Sequence, residues 1–490
     1  MTNNLRTPFQ CVEGSGGDGL RQVRGVRRVP VRRVDEVYER VRGQIEAGRL
    51  EPGERLPPIR GMADEMRISR NSVVQAYERL VADSLVVARR GSGFYVAHAL
   101  PRMGERTSQS FREATDAISL LREQLDRNFD ARIGDGRPPA GWLEASELQR
   151  YFRFGISVRS GTDYGYGEAA GYMPLRRLIA RRLEERGIAA GPDTVFTTFG
   201  ANHAFDLITR QYLSRGDCVL VDEPGYYPLF AKLRLAGVRL IGVRRLPDGP
   251  DIEDLARKIA RHRPRGLFTQ TVAHNPTGTT TSPEKCAAVL QLAGQGGLFV
   301  VEDDTFADLV PPGTVRLASL PSRCEVIHVG TFSKTLSASL RSGFVSAPPE
   351  VVRQLVALKM LGTVATSSYI ERFIFELIDA GQYASHLRRL GQRVSASVAQ
   401  TAAALRATGF GLPFGTGPGY YLYPSLPEGV SEADIAHEGA EAGIFIAPGS
   451  VFSPGGAAGP AHIRVNVAYG TDAAFHAFAR DLFARGGHGG

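Results

Sequence analysis

The sequence predicts a multidomain protein in which a small, mostly helical domain precedes a larger α/β domain with a mostly parallel central sheet. The 490 residues are too many for one compact core, because single cores stop growing at roughly 250–300 residues. From about residue 130 onward, short apolar runs alternate with helical segments, which is the pattern of parallel strands joined by helices. Upstream of residue 98, apolar residues instead follow helical spacing and end in a short strand pair. These observations indicate two domains of different construction.

Composition narrows the class of protein. Hydrophobic residues make up 43% and charged residues 22% of the chain, which excludes a disordered tail protein, a collagen and a coiled coil. The four cysteines show no CxxC or Cys/His spacing, so neither a disulfide framework nor a metal site is expected. The longest charge-free stretch, residues 407–427, is interrupted by Gly and Pro, and the chain starts without an apolar signal segment. We therefore expect a cytoplasmic protein with no membrane partner.

The positive charge is concentrated at the N-terminus. The net charge is +8, and residues 1–100 alone contain 17 arginines against 12 acidic residues. Residues 1–30 combine glycines and arginines without apolar periodicity, which predicts a basic disordered tail. Residues 99–129 are polar and charged, and they are predicted to form a linker to the α/β domain over residues 130–487.

Residues 31–98 have the pattern of a winged helix-turn-helix. Two short helices over about residues 59–78 are separated by a tight turn, and Ser69 is placed as the N-cap of the second. Residues 85–87 and 94–96 alternate around a Gly-rich turn, as expected of a two-stranded wing. Such a helix fits the major groove of DNA, while the alternative interpretation is a small packed domain whose arginines are merely solvated.

Three phrases of this segment resemble the winged helix-turn-helix of the GntR regulators. They are IEAGRLEPGERLP at 45–57, SRNSV at 69–73 and RGSGFYV at 90–96. The resemblance implies double-stranded operator DNA as the partner, although Pro-Ile at 58–59 replaces two small polar residues that the family commonly has. Helix position, wing position and the resemblance together give the expected DNA-binding residues Arg60, Ser69, Arg70, Asn71, Ser72, Gln75, Arg89, Arg90, Gly91 and Gly93.

Lys334 draws attention in the α/β domain because the chain has only five lysines and this one follows the apolar run 326–329. The Ser-Lys-Thr at 333–335 is not a P-loop, which requires glycine directly before and six residues before the lysine. Gly165, Gly167 and Gly171 are spaced one residue too widely for a dinucleotide fingerprint. A strand-end lysine flanked by hydroxyl groups favours Schiff-base chemistry instead.

Schiff-base chemistry on a pyridoxal cofactor also needs a phosphate site and a carboxylate for the ring nitrogen. Asp303, just after the apolar run 298–301, is the candidate carboxylate. The phosphate candidates are Thr331, Ser333, Arg341 and the backbone amides of Gly200, Ala201 and Asn202. Singly, these residues also fit a surface lysine, a helix cap and a strand-end acid. Their combination favours the cofactor.

Phrases across residues 130–487 resemble the fold-type I pyridoxal-phosphate-dependent aminotransferases of class I/II. They are YGYG at 164–167, DEPGY at 222–226, HNPTG at 274–278, EDD at 302–304, SKT at 333–335 and the late Arg464. The resemblance implies that Lys334 forms the Schiff base with pyridoxal 5'-phosphate and that Asp303 holds the pyridine nitrogen. It further implies that Asn275 bonds the ring hydroxyl and that Tyr226 stacks on the ring.

The same resemblance assigns three residues around the cofactor. Arg464 would take a ligand carboxylate, and its alternative is an ordinary strand-edge arginine. Tyr166 would reach into the neighbouring subunit's site in a homodimer. Phe306 stands where the family commonly has a tyrosine whose hydroxyl bonds the cofactor. The absence of this hydroxyl is expected to blunt transamination.

A GntR-type winged helix, a linker and an aminotransferase-like domain in one chain resemble the MocR family of bacterial regulators. The leading hypothesis is a homodimeric transcriptional regulator whose cofactor at Lys334 senses an amino compound. The second is a working aminotransferase that carries a DNA-binding module. The third is a regulator that senses pyridoxal phosphate itself. Steady release of keto acid would favour the enzyme, and binding of an amino compound without turnover would favour the sensor.

Overall fold

The fold was analysed in a computed structural model of the chain, whose contacts divide it into two compact units, Met1–Gly104 and Glu105–Gly490. The predicted tail 1–30 and residues 99–128 of the predicted linker lie outside the residues that the structure describes, so these two predictions stay predictions. The described residues are 31–46, 49–50, 53–82, 85–89, 93–96, 129–143, 165–456 and 459–486.

The N-terminal unit has the predicted helices and wing. Its elements are α1 (Val31–Glu46), α2 (Ile59–Met66), α3 (Arg70–Ala82), β1 (Val86–Arg89) and β2 (Gly93–Val96), and the two strands pair antiparallel. The apolar faces of the three helices pack around a common core that includes Val41, Met62 and Val73. Tyr77 of α3 closes this core, since its ring meets Phe94 of the wing edge-on and its hydroxyl donates to the carbonyl of Pro57 at 2.9 Å.

The start of α3 confirms one prediction and corrects another. Ser69 caps the helix, because its Oγ accepts the backbone N–H of Ser72 at 3.1 Å. Ser72 was expected to contact DNA, but its side chain is fully buried and its hydroxyl pairs with the Ser69 hydroxyl at 2.8 Å. Ser72 therefore stabilises the first turn of α3, and its burial argues against a DNA contact.

An eight-stranded sheet forms the centre of the larger unit. Its strands are β3 (Val195–Thr198), β4 (Cys218–Glu223), β5 (Arg239–Leu246), β6 (Gly249–Pro250), β7 (Gly266–Thr269), β8 (Phe299–Asp303), β9 (Val326–Thr331) and β10 (Gly343–Ser346). The order is β3-β10-β9-β8-β7-β4-β5-β6. β10 runs antiparallel to both neighbours and β6 turns back on β5, while the other neighbouring pairs are parallel. The expected mostly parallel sheet is confirmed.

Helices cover this sheet, and a second small sheet lies further along the chain. The helices are α4 (Ala140–Leu143), α5 (Met173–Glu184), α6 (Ala201–Tyr212), α7 (Tyr227–Leu235), α8 (Ile252–His262), α9 (Pro283–Gly296), α10 (Pro349–Thr363), α11 (Ser368–Asp379), α12 (Gln382–Thr408), α13 (Glu432–Glu441) and α14 (Ala473–Gly486). The small antiparallel sheet has the order β11-β13-β12, formed by β11 (Tyr421–Leu422), β12 (Ala447–Pro448) and β13 (Ile463–Asn466). Among the described helices, none is long and apolar enough to cross a bilayer.

The sheet order determines where functional side chains meet. β7, β8 and β9 are adjacent and parallel, so their carboxyl ends lie at one edge of the sheet. In open α/β sheets ligands bind beyond this edge. Asp303 ends β8, and Lys334 follows three residues after the end of β9. The fold thus brings the two central predicted residues to the same edge.

Candidate functional site

A cavity of about 560 Å³ lies at this edge of the sheet. Most of the residues predicted for a cofactor or its ligand line it together, although they come from segments up to 263 residues apart. They are Ala201, Asn202, Tyr226, Asn275, Asp303, Phe306, Thr331, Ser333, Lys334, Arg341 and Arg464. These predicted residues bring an amine, a carboxylate, two guanidinium groups and several hydroxyl and amide groups together in one cavity.

Lys334 is held from several directions. Its Nζ donates to the backbone carbonyl of Gly136, and its own carbonyl accepts the Tyr420 hydroxyl at 2.9 Å. The hydroxyl of the next residue, Thr335, bonds with that of Tyr383 at 2.6 Å. Burial, with a smaller contribution from the nearby positive charge of Arg464, lowers the pKa of Lys334 to about 8. The neutral, nucleophilic form of this amine is therefore more populated near physiological pH than it is in an ordinary lysine.

Asp303 is a buried carboxyl group at the end of β8. Burial raises its pKa to about 6, against hydrogen bonds from the Thr305 hydroxyl and backbone N–H, the latter at 3.0 Å, that lower it. A carboxylate whose charge is poorly solvated is stabilised by a cation placed beside it. Asp303 is thus suited to pair with a protonated ring nitrogen.

An anion cradle lies between β3 and the loop after Lys334. Gly200 precedes α6 with φ of 80°, a left-handed conformation that favours glycine, and a Cβ there would lie 3.0 Å from Arg341 Nη2. Ala201 and Asn202, the first residues of α6, line the cavity, and the free N–H groups of helix N-termini attract anions. Arg341 is anchored by the carbonyl of Phe199 at 2.9 Å.

Hydroxyl groups complete the cradle. Thr331 ends β9, and its hydroxyl donates to the carbonyl of Ser342 at 3.0 Å while its Oγ1 accepts the backbone N–H of Ser333 at 3.2 Å. These bonds fix the turn that leads to Lys334. The combination of a helix N-terminus, a guanidinium group and two hydroxyl groups suits a phosphate.

Arg464 of β13 is a buried cation in the lining of the cavity. Only 1% of the residue is exposed, and its guanidinium donates to the carbonyl of Gly134 at 2.7 Å and to Asn275 Oδ1 at 3.2 Å. The rings of Tyr421 and Phe452 lie 4.9 and 5.0 Å from its guanidinium carbon. Its Nε is buried without a hydrogen-bond partner among the described residues. Buried polar atoms are normally paired, so Arg464 is poised to bind an anion.

A buried network beneath the cavity positions Asn275. Asp222, at the end of β4, accepts the backbone N–H of Gln270 at 2.9 Å and lies 3.4 Å from both Arg245 and His274. Burial and the charge of Arg245 lower the pKa of His274 to about 4, so this imidazole is neutral. Asp222 thus contacts two residues of the loop between β7 and α9, Gln270 and His274, and this loop carries Asn275.

Several residues of the cavity were not predicted from the sequence. Gln270 Oε1 accepts the backbone N–H of Asn275 at 2.9 Å, and its place at the end of the apolar run 267–270 was a usable signal. Tyr421, Arg137 and Gly136 also line the cavity, but no motif marks them. Their positions depend on contacts between distant segments.

Two predicted residues have environments that matter for the chemistry. Phe306 is fully buried, and its ring meets those of Tyr420 and Tyr421 at 5.8 and 5.6 Å. It offers no hydroxyl to the cavity. Tyr166 is 86% exposed, so a role in a partner subunit's site stays a prediction.

The N-terminal unit presents an exposed polar surface on α2 and α3. Arg60, Ser69, Arg70, Asn71 and Gln75 are exposed. Of the predicted wing contacts, Gly93 begins β2 with φ of 108° and Arg89 ends β1. The side chain of Arg89 and the whole of Arg90 and Gly91 lie outside what the structure describes.

Comparisons with known proteins find a family match in each of the two units. Residues 134–482 match the family model of aminotransferase class I and II, and residues 33–96 match that of the bacterial regulatory proteins, gntR family. The probable rhizopine catabolism regulatory protein MocR of Rhizobium meliloti is 29% identical over 74% of each chain. The HTH-type transcriptional regulator YdcR of Escherichia coli is 26% identical over 87% of this chain and 93% of its own.

A solved structure extends the comparison to the larger unit. LysN, the alpha-aminoadipate aminotransferase of Thermus thermophilus, complexed with N-(5'-phosphopyridoxyl)-L-leucine, shares 25% identity with a TM-score of 0.67. The match covers 77% of this chain and 99% of LysN. The fold and the site thus define an aminotransferase-fold protein that carries an N-terminal winged helix. The chain belongs to the aminotransferase class I and II family, within its MocR-like group of GntR-type regulators.

Proposed function

We propose that this protein is a DNA-binding transcriptional regulator that holds pyridoxal 5'-phosphate in the cavity at Lys334 and uses it to sense an amino compound. The observation that supports the proposal is the combination, in one chain, of a GntR-type winged helix with a cavity in which Lys334, Asp303 and Arg464 meet. A decayed enzyme domain kept only for dimerisation would have no reason to retain these three groups together. As a DNA-binding regulator, it would act in the cytoplasm.

Different cavity residues would hold different parts of the cofactor. Lys334 would form the covalent linkage, Asp303 would pair with the ring nitrogen and Asn275 would bond the ring hydroxyl. Tyr226, which lines the cavity, would stack on the ring. The phosphate would lie on Thr331, Ser333, Arg341 and the first turn of α6. When bound, the cofactor supplies an aldehyde that links to amines and a ring that withdraws electrons from them.

Arg464 would select the ligand. Its Nε, which has no partner among the described residues, and its place in the same cavity as Lys334 suit a carboxylate, so an amino acid is favoured over a simple amine. With the cofactor bound, a ligand amine would take the place of Lys334, and Lys334 Nζ would then be available to hold a proton.

Lys334 is expected to show a pH-dependent reactivity. Its lowered pKa means that the neutral amine predominates above about pH 8, and protonation removes it as the pH falls. The rate at which cofactor-free protein captures pyridoxal phosphate should level off above about pH 8 and fall about tenfold per pH unit well below it. Absorbance stopped-flow measures this rate. A rate that keeps rising to pH 10 would show that Lys334 has an ordinary pKa.

Arg70 is expected to be a DNA contact. It is exposed at the start of α3, where a recognition helix meets the DNA. Arg70→Ala should weaken operator binding by about 1–3 kcal/mol, or roughly 5- to 150-fold, and leave the cofactor absorbance unchanged. Arg353→Ala removes the same charge from an exposed site in the larger unit and serves as the control. Equal affinity of the two variants at moderate salt would remove Arg70 from the interface.

The second candidate function is a working aminotransferase that carries a DNA-binding module. The retained cavity supports it, and LysN is an aminotransferase. Phe306 counts against high turnover because it lacks the hydroxyl expected at this position. Titration of the loaded protein with amino acids and amines, followed by absorbance and by keto-acid assay, separates the two functions. A shifted band without accumulating keto acid supports the sensor, and steady keto acid supports the enzyme.

A regulator that senses pyridoxal phosphate itself is the third candidate. In that case removal of the cofactor alone would change DNA affinity, with no amino compound present. We further propose a homodimer in which Tyr166 reaches the partner's site. Its 86% exposure leaves the Tyr166 ring accessible to a second subunit.

A further inference from the structure

The backbone carbonyl of Gly136 is a hydrogen-bond acceptor for Lys334. Lys334 Nζ donates to this oxygen, and the Tyr421 hydroxyl donates to the same oxygen at 2.8 Å. All three residues line the cavity, and Gly136 is buried. A protonated amine in a buried place is costly unless an acceptor lies beside it. The position of this carbonyl therefore influences the amine of Lys334.

One side chain holds the backbone on both sides of Gly136. Asn466 Nδ2 donates to the carbonyls of Asp135 and Arg137, at 2.9 and 2.8 Å. The backbone N–H of Asn466 donates to the carbonyl of Ile133 at 2.8 Å. Asn466 is fully buried and does not belong to the described lining of the cavity. Among these described contacts, its route to the cavity is the segment 133–137.

The small sheet fixes Asn466 in one orientation. Its Oδ1 accepts the backbone N–H of Ala468 at 3.0 Å, while Nδ2 uses its two hydrogens for two carbonyls. A reversed amide would place its oxygen against both carbonyls, so the hydrogen bonds determine the orientation. Asn466 and Tyr421 are also directly paired across β13 and β11. The two side chains that hold the Gly136 region thus come from adjacent positions of one sheet.

Charged side chains around Lys334 act on the same amine. After burial, which is the largest cause, Arg464 and Arg137 lower the pKa of Lys334, while Asp135 and Asp303 raise it. Arg137 and Asp135 form an ion pair with each other at 3.3 Å. A displacement of their segment therefore moves two opposite charges together, and their effects on Lys334 largely offset each other.

We propose that Asn466 is a positioning residue for Lys334, which fixes the carbonyl of Gly136 as the acceptor for the amine whenever that amine is free of the cofactor. This inference rests on the proposed function and adds to it the residue that prepares the place of the released amine. A carbonyl binds a charged amine more strongly than a neutral one. A correctly placed Gly136 carbonyl thus favours the protonated amine that remains when a ligand takes the place of Lys334.

Asn466→Ala is the first test. It leaves two carbonyls unpaired and lets the Gly136 carbonyl move, so the protonated form of Lys334 is stabilised less. Absorbance stopped-flow gives the rate at which the full-length, cofactor-free variant captures pyridoxal phosphate. The pH above which this rate levels off should fall by about one unit. In the loaded variant, the concentrations of alanine and of ethylamine that shift the band should both rise about tenfold, because the change concerns the amine and not the carboxylate.

Tyr421→Phe is the second test, and its effect has the opposite sign. The ring and the Asn466 bonds remain, so the Gly136 carbonyl keeps its place but no longer accepts a hydroxyl group. The protonated amine then has this oxygen to itself, and the pH at which the capture rate levels off should rise. This variant removes a single oxygen atom, so it tests the acceptor even if Asn466→Ala does not fold.

Thr401→Val is the matched control. Thr401 is equally buried, and its hydroxyl donates at 3.3 Å to the carbonyl of Val467, the residue next to Asn466. Its described hydrogen bond does not involve residues 133–137. Thr401→Val should lower the unfolding temperature and leave the pH profile of capture unchanged. An equal shift in this control would assign Asn466 a merely structural role.

Two results would overturn the inference directly. One is a folded Asn466→Ala protein whose capture profile matches that of the wild type. The other is a Tyr421→Phe profile that stays in place or moves to lower pH.

The outcomes also separate this inference from the proposed function. If amino compounds shift the band and neither variant moves the capture profile, the sensor stands and the role of Asn466 is wrong. If the two variants move the profile in opposite directions but no amino compound shifts the band, the role of Asn466 stands and the sensing function is wrong. If cofactor-free protein captures no pyridoxal phosphate at any pH, both fail.

Discussion

Lys334→Ala is expected to abolish the covalent attachment of pyridoxal phosphate and with it the visible absorbance band. The reason is that the buried amine of Lys334, whose pKa lies at about 8, is the only proposed nucleophile in the cavity. Phosphate contacts from Arg341 and the first turn of α6 would remain, so the variant should still bind the cofactor non-covalently. Dialysis followed by absorbance measures the loss. We expect complete release from the variant and retention by the wild type.

The control for this variant is Lys359→Ala. Lys359 is also a buried lysine with a pKa of about 8, but its Nζ donates to the Thr197 carbonyl and the Thr366 hydroxyl, at 2.8 and 3.1 Å. It does not belong to the described lining of the cavity. Loss of Lys359 should reduce stability and leave the band in place. A band that survives Lys334→Ala, or disappears only with Lys359→Ala, would contradict the assignment.

Arg464→Leu is expected to remove most of the response to amino acids. Arg464 is buried, with an Nε atom that has no described partner, and truncating one member of a buried charge pair costs about 2–5 kcal/mol. The amino acid concentration that shifts the band should rise by at least about 30-fold. Absorbance titration with alanine and with ethylamine, which lacks the carboxylate, measures the effect. The concentration of ethylamine that shifts the band should rise much less than the concentration of alanine.

A second readout separates ligand binding from a merely structural role. Because the charge of Arg464 contributes to the lowered pKa of Lys334, Arg464→Leu should raise that pKa and move the pH profile of cofactor capture upward. Arg464→Lys keeps the charge and should leave the profile near its original position, while losing the bidentate geometry. If the variant weakens the response to alanine and to ethylamine equally, Arg464 has a structural role only.

The fold was predictable where apolar runs are long and uninterrupted. The apolar run Leu-Phe-Val-Val at 298–301 leads into β8 in the interior of the sheet, whereas β5 begins with Arg239, contains Arg244 and Arg245 and gave no apolar run. β10 has only four residues and is the antiparallel member between β3 and β9. Its place in the sheet depends on tertiary pairing, which local periodicity does not contain.

The site was predictable where chemistry depends on residue type within a short motif. Lys334 and Asp303 stand at the ends of predicted strands, and the sheet order brings them together. Arg137 and Gly136 gave no such signal, because they reach the cavity through backbone bonds to residues 329 and 285 positions away. Ser72 was assigned to DNA from its place on α3, but the rotation of about 100° per residue along a helix turns it to the core while its neighbour Asn71 stays exposed.

The most direct test of the central claim is the DNA affinity of the full-length protein with and without the amino acid that shifts its absorbance band. The protein's own upstream region serves as the DNA, and fluorescence anisotropy at fixed salt gives the affinity. Coupling between two sites is typically 1–3 kcal/mol, so we expect a change of about 5- to 150-fold in the wild type and none in Lys334→Ala. An affinity that stays constant while the band shifts would show that the cavity does not control DNA binding.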